Sequence, residues 1–286
     1  NIILLYADDL GYTDLSCQGS DYYRTPNIDR LAREGMTFTN AYAAAANCAP
    51  SRASLMTGLY TPRHGVFTVG NSDRGKAANR RLIPTPNTTV LTRKLPTMAQ
   101  VLKRAGYRTA IAGKWHLSDD PIPYGFDTNF GGLKWGAPKS YFSPYRNPKL
   151  KDGPKGEHLP ARLATDLCHW IRNAQEKNER FFVYFPFYSV HTPIQARVDL
   201  TARYTGKSGT HHRNAKYAAM IEAMDLAVGQ ILDLLDELKL ASNTLVVFTS
   251  DNGPHGAVSN ARPLRGSKGM FYEGGIREPF LVRWPG

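Results

Sequence analysis

The sequence predicts an α/β fold built on a largely parallel sheet. Short apolar runs of strand length alternate with helical patterns, the order expected of strand–helix–strand units. Four of these runs lead directly into polar clusters: Asp8-Asp9, Lys114 with His116, His191, and Asp251-Asn252. In an open parallel sheet, ligands bind beyond the carboxyl ends of the strands. Clusters far apart in sequence are therefore expected to meet on one edge. At 286 residues the chain is long enough to bury a large core.

Ile2-Ile3-Leu4-Leu5-Tyr6 is a continuous apolar run, as a strand buried on both faces requires. Thr25-Pro26 opens a short helix through Arg33 that Gly35 stops. Met36 to Thr39 reads as a strand. A helix follows from Cys48, then a polar stretch at 71–92 that reads as a surface excursion. Pro96 to Arg104 is an amphipathic helix closed by Gly106, and Tyr107 to Ala112 a strand. Residues 119–155, rich in Gly, Pro and aromatics, read as irregular loops. Leu159 to Lys177 is helical, Phe181 to Phe187 a strand, Arg213 to Leu240 a long helix, and Thr244 to Thr249 and Phe280 to Arg283 strands. No internal repeat or low-complexity tract interrupts the pattern.

No apolar run is long enough to span a bilayer. The opening stretch Ile2 to Ala7 is too short for a secretory signal and lacks its basic start. The net charge of +12 favours polyanionic partners. The basic residues are scattered, without an aromatic-interleaved nucleic-acid motif, so no nucleic-acid partner is expected. The cysteines, Cys17, Cys48 and Cys168, show neither zinc-type pairing nor a disulfide framework. His211-His212-Arg213 reads as a polar loop rather than a metal site.

Cys48 precedes Pro50 at the start of a helical run, where free N–H groups and the helix dipole favour negative charge. Arg52 adds a fixed cation about one turn on. Asp8, Asp9, Asp251 and the Asn252 amide offer hard oxygen ligands, which suit calcium or magnesium over zinc. Taken singly, these residues read equally well as caps and turns. Two acidic clusters at the ends of parallel strands need a cation between them. Lys114, His116, His191 and Lys268 would surround an anionic tetrahedral group, the histidines moving protons near neutral pH.

The string from Cys48 to Gly58 resembles the signature of the type I sulfatases, C-x-P-S-R-x-x-L-x-T-G, with Met56 in a variable position. The ordered set continues across nearly the whole chain, through Gly113-Lys114-Trp115-His116, His191-Thr192-Pro193, Asp251-Asn252-Gly253, Lys268 and Glu273-Gly274-Gly275-Ile276-Arg277. The resemblance implies an alkaline-phosphatase-like fold, a central mostly parallel sheet sandwiched between helices. It implies sulfate ester hydrolysis, with a sulfated carbohydrate as expected substrate. Cys48 would be oxidised to formylglycine by a maturation enzyme and would serve as nucleophile and metal ligand. Asp8, Asp9, Asp251 and Asn252 would hold the cation, calcium or else magnesium. Arg52 would stabilise the aldehyde hydrate, and Lys114 and Lys268 would grip the sulfate oxygens. His191 would protonate the leaving alcohol, and His116 would assist sulfate expulsion. A periplasmic, secreted or lysosomal-type compartment is the family expectation.

The chain departs from the pattern at Ser118, where glycine is common, and Ser140 is a weak counterpart of a sulfate-touching serine found in some members. The family usually continues into a smaller subdomain beyond Trp284-Pro285-Gly286. Residues 1–286 are thus expected to be an N-terminal catalytic core with that subdomain missing. The alternatives are a formylglycine-dependent phosphonate monoester or phosphodiester hydrolase, and an inactive glycan-binding homologue. Aromatics from Trp135 to Tyr145 are candidates for stacking on sugar rings.

Overall fold

The computed structural model describes residues 1–285. Its elements in chain order are β1 (Ile2–Ala7), α1 (Pro26–Glu34), β2 (Met36–Thr37), α2 (Cys48–Thr57), α3 (Thr61–His64), α4 (Met98–Arg104), β3 (Arg108–Ala112), β4 (Thr128–Phe130), α5 (Leu159–Glu176), β5 (Phe181–Pro186), α6 (Val198–Ala202), α7 (Ala215–Glu237), β6 (Leu245–Ser250), α8 (Glu273–Ile276) and β7 (Phe280–Arg283). The sheet order is β2-β7-β6-β1-β5-β3-β4. From β6 to β4 neighbouring strands run parallel, whereas β7 and β2 form an antiparallel border.

β1 lies between β5 and β6, so its apolar residues bury both faces. Ile3, Leu5 and Ala7 pack in one core with α1, α5 and α7. Leu4 and Tyr6 pack in the other with Ala49 and Ala53 of α2 and Ala99 of α4. β5 alternates in the same way, Phe181, Val183 and Phe185 against Phe182 and Tyr184, as the two-residue period of a strand dictates. The sheet is thus sandwiched between helical layers, as expected.

Local signals set several helix starts. Thr97 and Gln100 form a reciprocal capping box on α4, and Asn214 accepts from the Tyr217 N–H at 3.1 Å to cap α7. α1 is capped from a distance. Thr25 makes no capping bond. Asp225 of α7, fully buried, accepts the Asn27 and Ile28 N–H groups at 3.0 and 2.8 Å. Sequence periodicity marks the α7 segment as a long helix but cannot show that its Asp225 carboxylate serves another helix.

The segment 119–155 differs from the loop expectation. Thr128–Phe130 adds a short parallel strand beside β3, its residues only half-buried and too few to carry a period. Tyr141 and Tyr145 are buried rather than available for stacking. Tyr141 donates to the His191 carbonyl at 2.8 Å and Tyr145 to Glu157 at 2.9 Å. Residues 71–92 form the expected excursion, with one short helical turn at Ala77–Asn79. All three cysteines are free thiols. Among the described residues no helix is long and apolar enough to cross a membrane.

Asp225→Ala is expected to cost about 2 kcal/mol in denaturant unfolding, since it strands buried helix-start donors. Asp233→Ala, on an exposed partner of Arg30, should change stability by less than about 0.5–1 kcal/mol. Equal losses would show that Asp225 has no capping role.

Candidate active site

The carboxyl edge of the parallel strands gathers the predicted catalytic and metal-ligating residues. Asp8 and Asp9 leave β1, Lys114 and His116 leave β3, His191 follows β5, and Asp251 and Asn252 leave β6. Cys48 is the first residue of α2 and Arg52 lies one turn on, so both face the same edge. Lys268 arrives on the loop after β6, its N–H bonded to the Pro254 carbonyl at 3.0 Å. Gly113 makes the exit from β3 possible. With φ of 114°, it lets the next N–H, that of Lys114, donate to the Pro186 carbonyl at 2.7 Å. A Cβ on Gly113 would lie 2.0 Å from that carbonyl oxygen. Asp9 and His116 also have positive φ, 59° and 62°, a strained conformation retained here at the site itself.

One ligand atom each from Asp8, Asp9, Cys48 and Asp251 lies within 4.8 Å of the others, and all four residues are buried. Cations wrap this group. Lys114 Nζ donates to both Asp8 oxygens at 2.8 and 2.7 Å. Arg52 donates to Asp251 Oδ2 through two nitrogens at 3.0 and 2.7 Å, and to the Lys114 carbonyl at 2.9 Å. Lys268 Nζ donates to Asp9 at 2.7 Å. Asn252 Nδ2 donates to Asp9 Oδ1 at 2.8 Å. His191 Nε2 lies 3.6 Å from Asp9 Oδ2, while its Nδ1 lies 2.7 Å from the Thr192 carbonyl. A neutral ring donating there leaves Nε2 free toward the site.

Burial dominates the electrostatics. It raises Asp8 to about 8, against the pull of Lys114 and with Asp251 and Asp9 adding to it. Burial also works to raise Asp251, but Arg52, then Lys114 and Lys268, outweigh it and hold that carboxyl below the usual range. The Cys48 thiol is pushed by burial to about 12, although Lys114 opposes the shift. It is therefore a protonated, weakly nucleophilic thiol near neutral pH. Burial, with Lys114 and Arg52, lowers His116 to about 2. Burial and Lys114 lower His191 to about 4, although Asp9 pulls upward.

The donor set fits a divalent cation. Three carboxylates of like charge share one desolvated pocket, and Asn252 Oδ1 is buried with no hydrogen-bond partner. A hard cation would answer both features. His116 Nδ1 is likewise buried and unpartnered. Ser140, the weak serine counterpart, instead donates to the Phe142 carbonyl at 2.6 Å.

Sequence reasoning missed residues that hold the site from behind. Tyr217 of α7 sets its hydroxyl, with a single hydrogen to give, between two acceptors, Asp14 at 2.7 Å and the Asp9 carbonyl at 3.1 Å. It stands in an apolar helical pattern and carries no sequence signal of that role. Gly136 lies against His116; a Cβ there would approach the imidazole to 2.9 Å. Asp14, five residues beyond Asp9, was within reach of the same strand-end argument.

A mostly parallel sheet between helices, with carboxylates, lysines and a helix-start cysteine on its carboxyl edge, defines the alkaline-phosphatase-like α/β class. The chain belongs to the sulfatase family, whose family model, described as Sulfatase, matches residues 1–286. It is 35% identical to a sulfatase of Formosa agariphila, with all of this chain and 63% of that protein covered. It is also 35% identical to the N-acetylgalactosamine-6-sulfatase of Homo sapiens, covering all of this chain and 57% of that one. Among solved structures, Ps i-CgsB in complex with k-i-k-neocarrahexaose matches with a TM-score of 0.85 and 32% identity, over all of this chain and 66% of that one. The chain thus spans about three-fifths of the length of these curated relatives.

Calcium or magnesium is expected to raise the thermal midpoint saturably, by the equivalent of about 2.7 kcal/mol at a hundred times the dissociation constant. Chelation should reverse the shift, and Asp9→Asn should weaken binding at least about tenfold. A midpoint indifferent to both ions would argue against a cation among these carboxylates.

Proposed function

We propose that the chain is the catalytic core of a sulfuric ester hydrolase acting on a sulfated carbohydrate. The observation that carries this reading is the single buried cluster of Asp8, Asp9, Cys48 and Asp251, ringed by Arg52, Lys114 and Lys268. The thiol of Cys48, protonated at neutral pH, is poorly suited to attack. Its oxidation to formylglycine by a maturation enzyme rests on the string Cys48-Ala49-Pro50-Ser51-Arg52, which matches the family signature. Once present, formylglycine supplies an aldehyde-hydrate nucleophile, and a divalent cation, calcium or magnesium, held by Asp8, Asp9, Asp251 and Asn252 supplies Lewis acidity.

The remaining work falls to this chain's own side chains. Arg52 is locked between Asp251 and the Lys114 carbonyl, so its charge is fixed beside position 48. Lys114 and Lys268 give point charges that can turn toward sulfate oxygens, and they offset charge developing in the transition state. With Nδ1–H on the Thr192 carbonyl, His191 presents Nε2 to the site, where it must take up a proton before it can give one to the leaving alcohol; the Lys268 ammonium is the other donor at hand. His116, buried and neutral, would accept a proton as sulfate departs. The substrate reading draws on relatives named for N-acetylgalactosamine-6-sulfate chemistry or seen with a carrageenan-type oligosaccharide, and on the +12 charge, which attracts polyanions.

The test compares an aryl sulfate with the matching phosphate diester, using protein co-produced with a formylglycine-generating enzyme. Sulfate hydrolysis is expected to be faster, and Cys48→Ala to reduce it at least about a thousandfold. Faster diester hydrolysis would reassign the chain to the phosphonate and phosphodiester branch. Inactivity of protein with confirmed formylglycine would leave a glycan-binding role. His191→Ala should slow an alkyl sugar sulfate by about a hundredfold or more, but spare a nitrophenyl sulfate whose leaving group needs no proton.

A further inference from the structure

Away from the carboxylate centre, two adjoining cavities open beside the start of α7. One has a volume of about 320 Å³ and the other about 250 Å³, and they share Thr210, His211, His212 and Arg262. Their walls come from residues 210–214, from the loop that links Asn252 to Lys268, and from the segment 13–23. The two segments are stitched together. Asn260 Nδ2 donates to the His211 carbonyl at 2.8 Å, His212 Nε2 lies 3.0 Å from the Asn260 carbonyl, and Asn214 Nδ2 donates to the Val258 carbonyl at 3.2 Å. His212 is buried, 3.5 Å from Asp14. Through Asp14 and the Tyr217 hydroxyl, the wall reaches the Asp9 carbonyl.

The chemistry of the lining is one-sided. Arg213 and Arg262 line the larger cavity with His211 and His212. Among the described residues neither arginine has a carboxylate within 4.0 Å. The smaller cavity does include Asp21, but that carboxylate is engaged by the Thr210 N–H and hydroxyl at 2.8 and 2.6 Å. Thr13 and Gln18 belong to the wall of the same cavity, but their buried Oγ1 and Nε2 atoms are closed off from it. Guanidinium groups without a carboxylate partner, in a concave site, are what an oxyanion completes. A metal cation would find no free carboxylate here.

We propose that this double cavity is a second oxyanion site, separate from the carboxylate centre, that takes a sulfate group through Arg213, Arg262 and His211. Two sources share that chemistry: free inorganic sulfate, and a further sulfate on a multiply sulfated saccharide. The second source rests on the sulfatase reading; the site itself does not. A ligand held here touches the loop that also delivers Lys268.

The test is a titration of the whole protein with sodium sulfate against sodium chloride at equal ionic strength. The His211 ring resonance is followed by NMR and assigned with His211→Gln. Sulfate should shift that resonance saturably and chloride should not. The Arg213→Gln/Arg262→Gln double variant should weaken the response about tenfold or more. A response identical for both salts, or unchanged in the double variant, would overturn the site. Kinetics then separate the sources. A higher KM for a disulfated disaccharide in the double variant, with kcat and aryl sulfate turnover unchanged, assigns the anion to the substrate. Unchanged KM values with the titration response lost assign it to free sulfate. The titration needs no turnover, so a protein with confirmed formylglycine that is inactive yet still binds sulfate would refute the sulfatase reading and leave this site standing.

Discussion

Three carboxylates brought together out of water are the constraint around which this molecule is arranged. Asp8, Asp9 and Asp251 are fully buried and share one pocket. Like charges at that separation repel strongly in a low-dielectric interior. The fold answers with a cation from each of three regions: Arg52 from a helix start, Lys114 from a strand end and Lys268 from a loop. Removing one partner from such a group leaves a buried charge uncompensated, which costs far more than losing a surface ion pair. Burial still raises Asp8 to about 8 against Lys114, so the surrounding cations do not fully offset the cost of desolvating this carboxyl. The donor set fits a divalent cation.

The scaffold makes this arrangement rigid rather than merely close. Parallel strands deliver their ends to one edge, and the two-faced burial of β1 and β5 leaves those strands no freedom to slip without exposing apolar side chains. Each site segment is then tied from outside. Tyr141 holds the His191 carbonyl, Tyr217 holds the Asp9 carbonyl, and Gly113 allows the Lys114 segment to close on Pro186. Positive φ at Asp9 and His116 shows where local preference yields to the site. The same burial keeps the Cys48 thiol protonated and His116 neutral. The pocket therefore favours groups whose reactivity does not depend on a thiolate.

Much of this was legible before any coordinates. The central strands β1, β5 and β6 are largely apolar runs, and they and β3 lead into polar residues whose types already name hard-ligand and proton-transfer chemistry. The misses share one physical cause, which is that they depend on partners far away in sequence. Thr128–Phe130 is too short to carry a period and is a strand because β3 lies beside it. Tyr141 and Tyr145 have the composition of a stacking surface, yet their hydroxyls are used inside the protein. His211-His212-Arg213 reads as a polar loop until Asn260, forty-eight residues beyond His212, closes over it.

By itself, then, the sequence determined the α/β class, the membership of the site and the family resemblance, because strand periodicity, helix-start chemistry and ordered motifs are local properties of the chain. Only the tertiary structure decided which carboxylate meets which cation, that Asp225 caps a helix not its own, and that two arginines stand unpaired over a second cavity. Those outcomes depend on burial and on distances between segments that the backbone joins only through the whole fold. Desolvation, the largest influence on Asp8, Cys48, His116 and His191, exists only once the core has closed around them.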